Sequence, residues 1–553
     1  MIHTVRLAAL ALATAALPSL AAAATLLIHG GPIYTGVPAR PKVEAVVARD
    51  GTIVFTGPLA EARRLAPDAE AIDLKGAAAY PGFVDAHAHL TGIGMREITL
   101  NLDQVKSVEE LVAAVKAYAA QHPTGPIYGR GWIETHWPEK RFPTRQDIDR
   151  AVPDRPVWLE RADGHAGVGN TAALALGGVT RETPAPKGGE ILKDASGEPS
   201  GMLVDNAMAM IDQKLPPPSQ AMREQAVQIG SRLYAARGWT GMGNMSVGAA
   251  DLAAIEALAA KGGLPIRVDN YMDLAPGARV LREGPYADPT GRVRVMGVKM
   301  YMDGALGSRG AALLEPYADS PGSRGLIMLE HDVARDAFAR ALKSGAQIAI
   351  HAIGDRGARQ TLDWYQEAFA ATPKAQRKVP EPRWRIEHAQ VVTAQDQPRF
   401  AKLGVIASMQ PSHAIGDLYF APARLGPTRL AYAYAWKDLL RQGAVVAAGT
   451  DAPVEVGDPR IEVYAAVHRH DLKGKAGPDW HLEQAVSRAE ALKMLTWAPA
   501  YAARRETELG TLEPGKRADL TAFSKDLMVV PPAEILTADP VLTVVDGVVV
   551  HKR

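Results

Sequence analysis

The chain has 553 residues, 62 Lys+Arg against 61 Asp+Glu, and no cysteine. A formal charge of +1 gives no basic field for a polyanion, which argues against nucleic-acid binding. Without Cys there is no disulfide, thiolate nucleophile, Cys-ligated zinc or iron–sulfur cluster, so any metal must sit on His, Asp, Glu or Lys. At 47% hydrophobic and 22% charged the composition is globular, and the length calls for one large domain with accessories or several ordinary ones.

Residues 1–24 read as a secretory leader. Arg6 supplies a short charged region, an apolar Ala-rich run follows, and small residues ending at Ala24 suit cleavage there. Pro18 and the Leu-poor composition argue against a permanent anchor. The mature chain is thus expected to be periplasmic or secreted, with no membrane contact after cleavage.

Next come short β-rich runs, TLLIHGGPIYT and AVVARDGTIVFTG, the second turning at Asp50-Gly51. The far end has the same style, with ADLTAFSKD and then TVVDGVVVHK turning at Asp546-Gly547. Such short strands cannot bury a core separately, so residues 25–79 and 506–553 are expected to meet in one small composite β-sandwich. Two unrelated edge hairpins are the alternative.

Between them, residues 80–505 alternate strands with helical segments. GFVDAHAH, WTGMGNMS, PIRVDNYMD, RVMGVKMYMDG, AQIAIHAIGD, RWRIEHAQ, GVIASMQPS and AVVAAGTDAP are the expected strands. Strand–helix alternation of this count predicts an α/β fold, a (β/α)8 TIM-like barrel. The stretch from about residue 100 to 204 falls outside the count and reads as an insertion after the first strand, rich in turns and tryptophan.

Barrel strands present catalytic groups at their C-terminal ends. The first ends in His87-Ala88-His89, whose period of two puts both imidazoles on one face. The fifth carries His351, the sixth His388 and the eighth Asp451. Each alone could be a core histidine or a capping carboxylate; together, at one end of ordered strands, they read as a metal site. Lys299 lies mid-strand, where burial would lower its pKa and expose a neutral amine able to take up carbon dioxide as a carbamate. The alternative is a lysine reaching the rim to pair with an acid. Alternation turns Glu387 away from the face of His388, and Asp303 shares the face of Lys299.

These residues, with GWIETHWPE, ERADGHAGVGN, GEPSGMLVD, DGALGSRGAAL, HAIGDRGA, IEHAQ and GTDAPV, resemble the amidohydrolase superfamily, and within it the YtcJ-like branch, amidohydrolase family 3. The resemblance spans essentially the whole mature chain. It implies a barrel with a composite β-sandwich and a divalent-metal hydrolase site. His87, His89 and Asp451 would hold one ion, His351 and His388 a second, and carbamylated Lys299 would bridge two Zn2+; the branch also accommodates a single Zn2+.

Paired cations about 3.5–4 Å apart can acidify a shared water and polarise a carbonyl. Asp451 could then take the proton and return it to the leaving nitrogen. GxSxG and HExxH are absent, which removes the common serine-hydrolase and zincin readings. His165 is the first choice for the substrate carbonyl or oxyanion, with a loop-holding role as its alternative. Trp132 and Trp137 could wall an apolar pocket or pack a core; Arg309 could bind a carboxylate or form a salt bridge; His413 could contact substrate.

The expected function is hydrolysis of a small amide, such as an N-acyl amino acid or related carboxamide. Ester, lactone or cyclic-amide hydrolysis at the same site remains open, as does a periplasmic ligand-binding protein, although a binder has no need of Asp451. The expected partner is a small-molecule amide, and a homo-oligomer is compatible with the sequence.

Overall fold

The computed structural model describes residues 25–477 and 480–553; the expected leader at 1–24 lies outside these. The central sheet contains β1 (Phe83–Ala88), β2 (Trp239–Val247), β3 (Arg267–Asp273), β4 (Val293–Tyr301), β5 (Gln347–Ala352), β6 (Arg385–His388), β7 (Ile406–Met409) and β8 (Val446–Ala448). They pair in sequence order and in parallel throughout. The seam between β8 and β1 is drawn together by Asp451 N–H donating to the His87 carbonyl at 2.7 Å. Asp85 accepts from Thr450 N–H at 2.9 Å and the Thr450 hydroxyl at 2.6 Å across the same seam. Apolar residues facing away from the barrel axis pack against the surrounding helices, so the strands read as near-continuous buried runs.

Helices α1 (Leu90–Ile98), α2 (Val108–Gln121) and α3 (Gln220–Arg237) position the mouth of the barrel. The Ser219 side chain caps α3 by accepting from Met222 N–H, and Gly238 ends it at φ 101°. The α1 and α3 backbones approach closely because glycine faces glycine-sized space. A Cβ on Gly94 would lie 1.8 Å from the Ala226 carbonyl oxygen.

Both chain ends enter one eight-stranded sheet, where Leu520–Phe523 pairs antiparallel with Ala78–Pro81. This is one sheet that curls over itself: Ile53 N–H on an edge strand donates to Lys516 O at 2.8 Å. Ile28, Val46, Ile53, Leu520 and Val544 consequently share a single core. Asp50-Gly51 and Asp546-Gly547 turn their hairpins with φ of 51°, 73°, 53° and 70°.

The segment after β1 forms a six-stranded sheet running from Leu100–Asn101 to Pro199–Asp205, with its own core. Here the expected pocket-wall role of Trp132 is corrected. Trp132 is buried in that core, its Nε1–H donating to Leu159 O at 2.9 Å. Trp137 is likewise buried, donating to Val105 O at 3.0 Å. An indole with its N–H satisfied inside a sheet core has no free face for a ligand. Among the described residues no helix is long and apolar enough to cross a membrane.

Candidate metal centre

On β1, alternation directs Asp85 and His87 to the barrel interior, both fully buried. His87 Nδ1 lies 2.6 Å from Glu387 Oε2. Arg385 grips the same carboxylate at 2.7 and 2.9 Å and also donates to Ala86 O and Ser408 Oγ. Burial works against the Glu387 charge, but Arg385 and His87 outweigh it and hold the carboxyl down at about 2. With Nδ1 committed, His87 presents Nε2, 3.3 Å from Asp451 Oδ1. His89 is fixed in the same way: Nδ1 lies 3.0 Å from Met245 O, and Nε2 lies 3.0 Å from Asp451 Oδ1.

Asp451 follows β8 at φ 60°, a left-handed conformation unusual for a residue with a Cβ. Its other oxygen, Oδ2, lies 3.7 Å from His413 Nε2 and 3.9 Å from His388 Nδ1. Burial opposes ionisation of Asp451, yet the surrounding histidines, His87 first, hold it well below the ordinary carboxylate range. Asp85 behaves differently: burial pushes it up to about 6 against hydrogen bonds from Thr450, His87 N–H and Tyr234.

Strand alternation fails at β6. Arg385 and Glu387 point inward, so Glu387 does not turn away as expected. His388 then takes φ 73° and Ala389 φ 43°, which breaks the pleat and returns His388 to the mouth as well. Its Nδ1 lies 2.9 Å from Gln410 Oε1. His413 sits on α4 (Pro411–Asp417), directly beyond β7, and receives a hydrogen bond from Gln390 Nε2 at 3.3 Å.

Two groups could therefore hold an ion: His87, His89 and Asp451, and His388, His413 and Asp451, with candidate ligand atoms within 4.8 Å of one another in each. The first matches the sequence expectation. The second contains His413, expected to touch substrate, in place of His351. The His351 ring lies 4.5 Å from that of His388, but its Nε2 is 3.3 Å from Gly304 O and 3.6 Å from Asp303 Oδ1. Asp303 is pinned by N–H groups of Ala312, Ile353 and Gly354, and burial pushes it up to about 7. Lys299 is buried on β4 with Nζ 4.6 Å from the Tyr301 ring centre, and burial lowers its pKa.

The donor set fits a divalent cation. His87 Nε2 and His413 Nε2 are buried without a hydrogen-bond partner among the described residues. Buried polar atoms rarely stay unmatched, and an imidazole whose other nitrogen is bonded is a metal ligand in waiting.

The insertion delivers His165 to the same place, its ring 4.8 Å from that of His351. Its Nδ1 lies 2.6 Å from Asp205 Oδ1. Burial disfavours the imidazolium, but Asp205 more than compensates and raises the His165 pKa. Arg309 is corrected: Asp319 takes its guanidinium at 2.8 and 3.3 Å, and Arg424 binds the same acid, so no free fork faces a substrate. The sequence marked neither Asp205 nor Asp85, and it pointed to Glu387 only as a supporting or structural acid, facing the other way. GEPSGMLVD contains Asp205, but nothing local marks it as the partner of a histidine 40 residues away.

A parallel barrel whose strand ends gather histidines around one aspartate defines a metal-dependent hydrolase scaffold. Comparison gives the narrower grouping. The model of the amidohydrolase family matches residues 70–551, and the chain belongs to that family. YtcJ of Bacillus subtilis (strain 168) is 33% identical over 95% of this chain and 99% of its own length. The N-substituted formamide deformylase of Arthrobacter pascens is 28% identical, over 92% of this chain and 95% of that protein. The crystal structure of an uncharacterized metal-dependent hydrolase from Pyrococcus horikoshii OT3 superposes with a TM-score of 0.75 at 28% identity, covering 92% of this chain and 99% of that one. The chain is a metal-dependent hydrolase acting on carbon–nitrogen bonds.

Proposed function

We propose that this enzyme is exported and hydrolyses the C–N bond of a small carboxamide, an N-acyl amino acid or a related amide, at a centre of two Zn2+. The observation carrying this reading is that His87 Nε2 and His89 Nε2 converge on one oxygen of Asp451 at 3.3 and 3.0 Å while their Nδ1 atoms are tied elsewhere. His87, His89 and Asp451 would hold one ion. His388 and the adjacent His351 or His413 would hold the other, with Lys299 between them as its carbamate. The amine of Lys299, favoured as neutral by burial, forms a bond to the carbon of CO2 and releases one proton. Bound there, divalent ions would supply Lewis acidity for the carbonyl and for water.

The protein's own groups do the rest. Asp451, kept ionised, accepts a proton at a carboxylate oxygen and delivers it to the departing nitrogen, which leaves as a neutral amine. His165, kept in register and toward its protonated form by Asp205, donates a hydrogen bond to the carbonyl oxygen as negative charge grows there. Export is supported by the Arg6 region, the apolar run and the small residues ending at Ala24.

The test is a panel of amides and matched esters assayed before and after chelation, with metal counted by elemental analysis. Chelator-sensitive release of amine, restored by Zn2+, is expected. Metal-independent turnover, or ester cleavage without amide cleavage, would overturn the reading.

A further inference from the structure

His89 is the open member of the cluster. Its side chain is 27% exposed, against 0% for His87 and 9% for Asp451. The exposed side of His89 borders a cleft of about 650 Å³ between the barrel and the insertion. On the barrel side lie α1, the end of β2 and the start of α3; on the other lie α2, the strand Ile127–Trp132 and the segment 212–218. Its apolar surface comes from Met95, Tyr118, Tyr128, Leu215, Pro217 and Met222. A volume of this size suits one drug-sized organic group with few polar anchors.

The arginines of the cleft are already matched. Arg96 pairs with Glu97 at 3.3 Å and Asp103 at 3.7 Å, Arg130 with Glu160 at 3.1 Å, and Arg223 with Asp251. Asp212 also lines the cleft, where its charged neighbour is Glu160 and no lysine or arginine is paired with it among the described residues. A carboxylate entering here would have to strip an arginine of its partner and would meet the repulsion of Asp212 and Glu160. Burying such an anion unpaired is strongly unfavourable, whereas an apolar group only displaces water from apolar walls.

We propose that this cleft receives the larger substituent of the amide and selects a neutral, apolar, aromatic-sized group over one bearing a carboxylate. The inference rests on the amide-hydrolase reading above and narrows it: uncharged N-substituted carboxamides are preferred to N-acyl amino acids. Asp212 sits at the exposed rim of the cleft beside Glu160, so an entering carboxylate meets two like charges there.

Matched substrates isolate the effect. N-acetyl-2-phenylethylamine and N-acetylphenylalanine, the latter as both enantiomers, differ by one carboxylate. The holoenzyme should turn over the neutral amide with kcat/KM at least tenfold higher, mostly through KM. Leu215→Trp, which fills the cleft from a partly exposed loop, should lower that value at least tenfold while leaving N-methylacetamide within twofold. Asp212→Asn should narrow the gap between the matched pair. If Leu215→Trp does not fold, Met222→Trp serves the same purpose on the partly exposed start of α3.

Binding separates this inference from the reading it rests on. 5-Phenyl-2-pentanone replaces the amide N–H by CH2 and has no bond to cleave; 2-benzyl-4-oxopentanoate is its carboxylate counterpart. Calorimetry on the holoenzyme should show tighter binding of the neutral ketone and its loss in Leu215→Trp. That result without turnover of any amide would support the cleft and sink amide hydrolysis. Equal or better binding and turnover of the carboxylate compounds, or indifference to both tryptophan variants, would overturn the cleft and leave amide hydrolysis standing.

Discussion

Glu387 on β6 reaches His87 on β1, Oε2 to Nδ1 at 2.6 Å, from the opposite side of the barrel interior. The contact fixes the tautomer of His87, leaves Nε2 for the mouth, and is itself held by Arg385. Glu387→Gln should weaken metal retention roughly 10- to 100-fold, as expected when the partner of a metal-ligating histidine is lost. Competition against a graded chelator measures this; an unchanged metal affinity would remove Glu387 from the centre. The variant should also melt earlier, because Arg385 is left buried without its acid.

Asp451 has two separable duties, binding and proton transfer. Asp451→Asn keeps an oxygen donor but cannot carry a proton, so turnover should fall about 10²–10⁴-fold with the metal largely retained. Elemental analysis alongside steady-state rates checks it. Wild-type rates would exclude the proton-carrying role.

Lys299 is testable by content and rescue. Lys299→Ala should reduce bound metal from two ions towards one and abolish most turnover. Acetate or propionate, each offering a carboxylate in place of the carbamate, should restore part of both. Full occupancy in the variant would show that Lys299 does not bridge.

The joint between barrel and terminal sheet predicts a pH dependence. Asp546 accepts from Arg267 and Arg517 and lies 3.3 Å from Arg292, while Asp519 binds Arg267 at 2.7 and 3.0 Å. Burial opposes the Asp546 charge, but the arginines, Arg267 first, hold its carboxyl below the ordinary range. The folded form therefore binds its proton later than the unfolded chain does. Its stabilisation is complete above the unfolded value of about 4 and is lost as pH falls through the lower folded value. Asp546→Asn should cost about 1–3 kcal/mol at neutral pH. Urea melts at stepped pH should show that difference shrinking below about pH 4; a constant difference would contradict the assignment.

Gly94→Ala tests the α1–α3 approach. Its Cβ would meet Ala226 O at 1.8 Å, so the helices must separate. Destabilisation of at least about 1–3 kcal/mol is expected in thermal or chemical melts. A neutral effect would mean the two helices part without penalty.

The sequence by itself determined the barrel strands, the two Asp-Gly hairpins, the HxH pair and Asp451. Each rests on local information: a period of two, a turn dipeptide, or a polar residue ending an apolar run. Tertiary structure decided the partners. For Trp132 the sequence left pocket wall and core packing equally open until its N–H bonded Leu159 across a sheet, and for Arg309 it left carboxylate binding and a salt bridge open until Asp319 folded against it. His413 joined the cluster because the helix after β7 opens at the mouth, and His388 joined the inward-facing Glu387 there because it adopts φ 73°. Closure of a sheet and a broken pleat are properties of the whole chain's packing, and no window of neighbouring residues contains them.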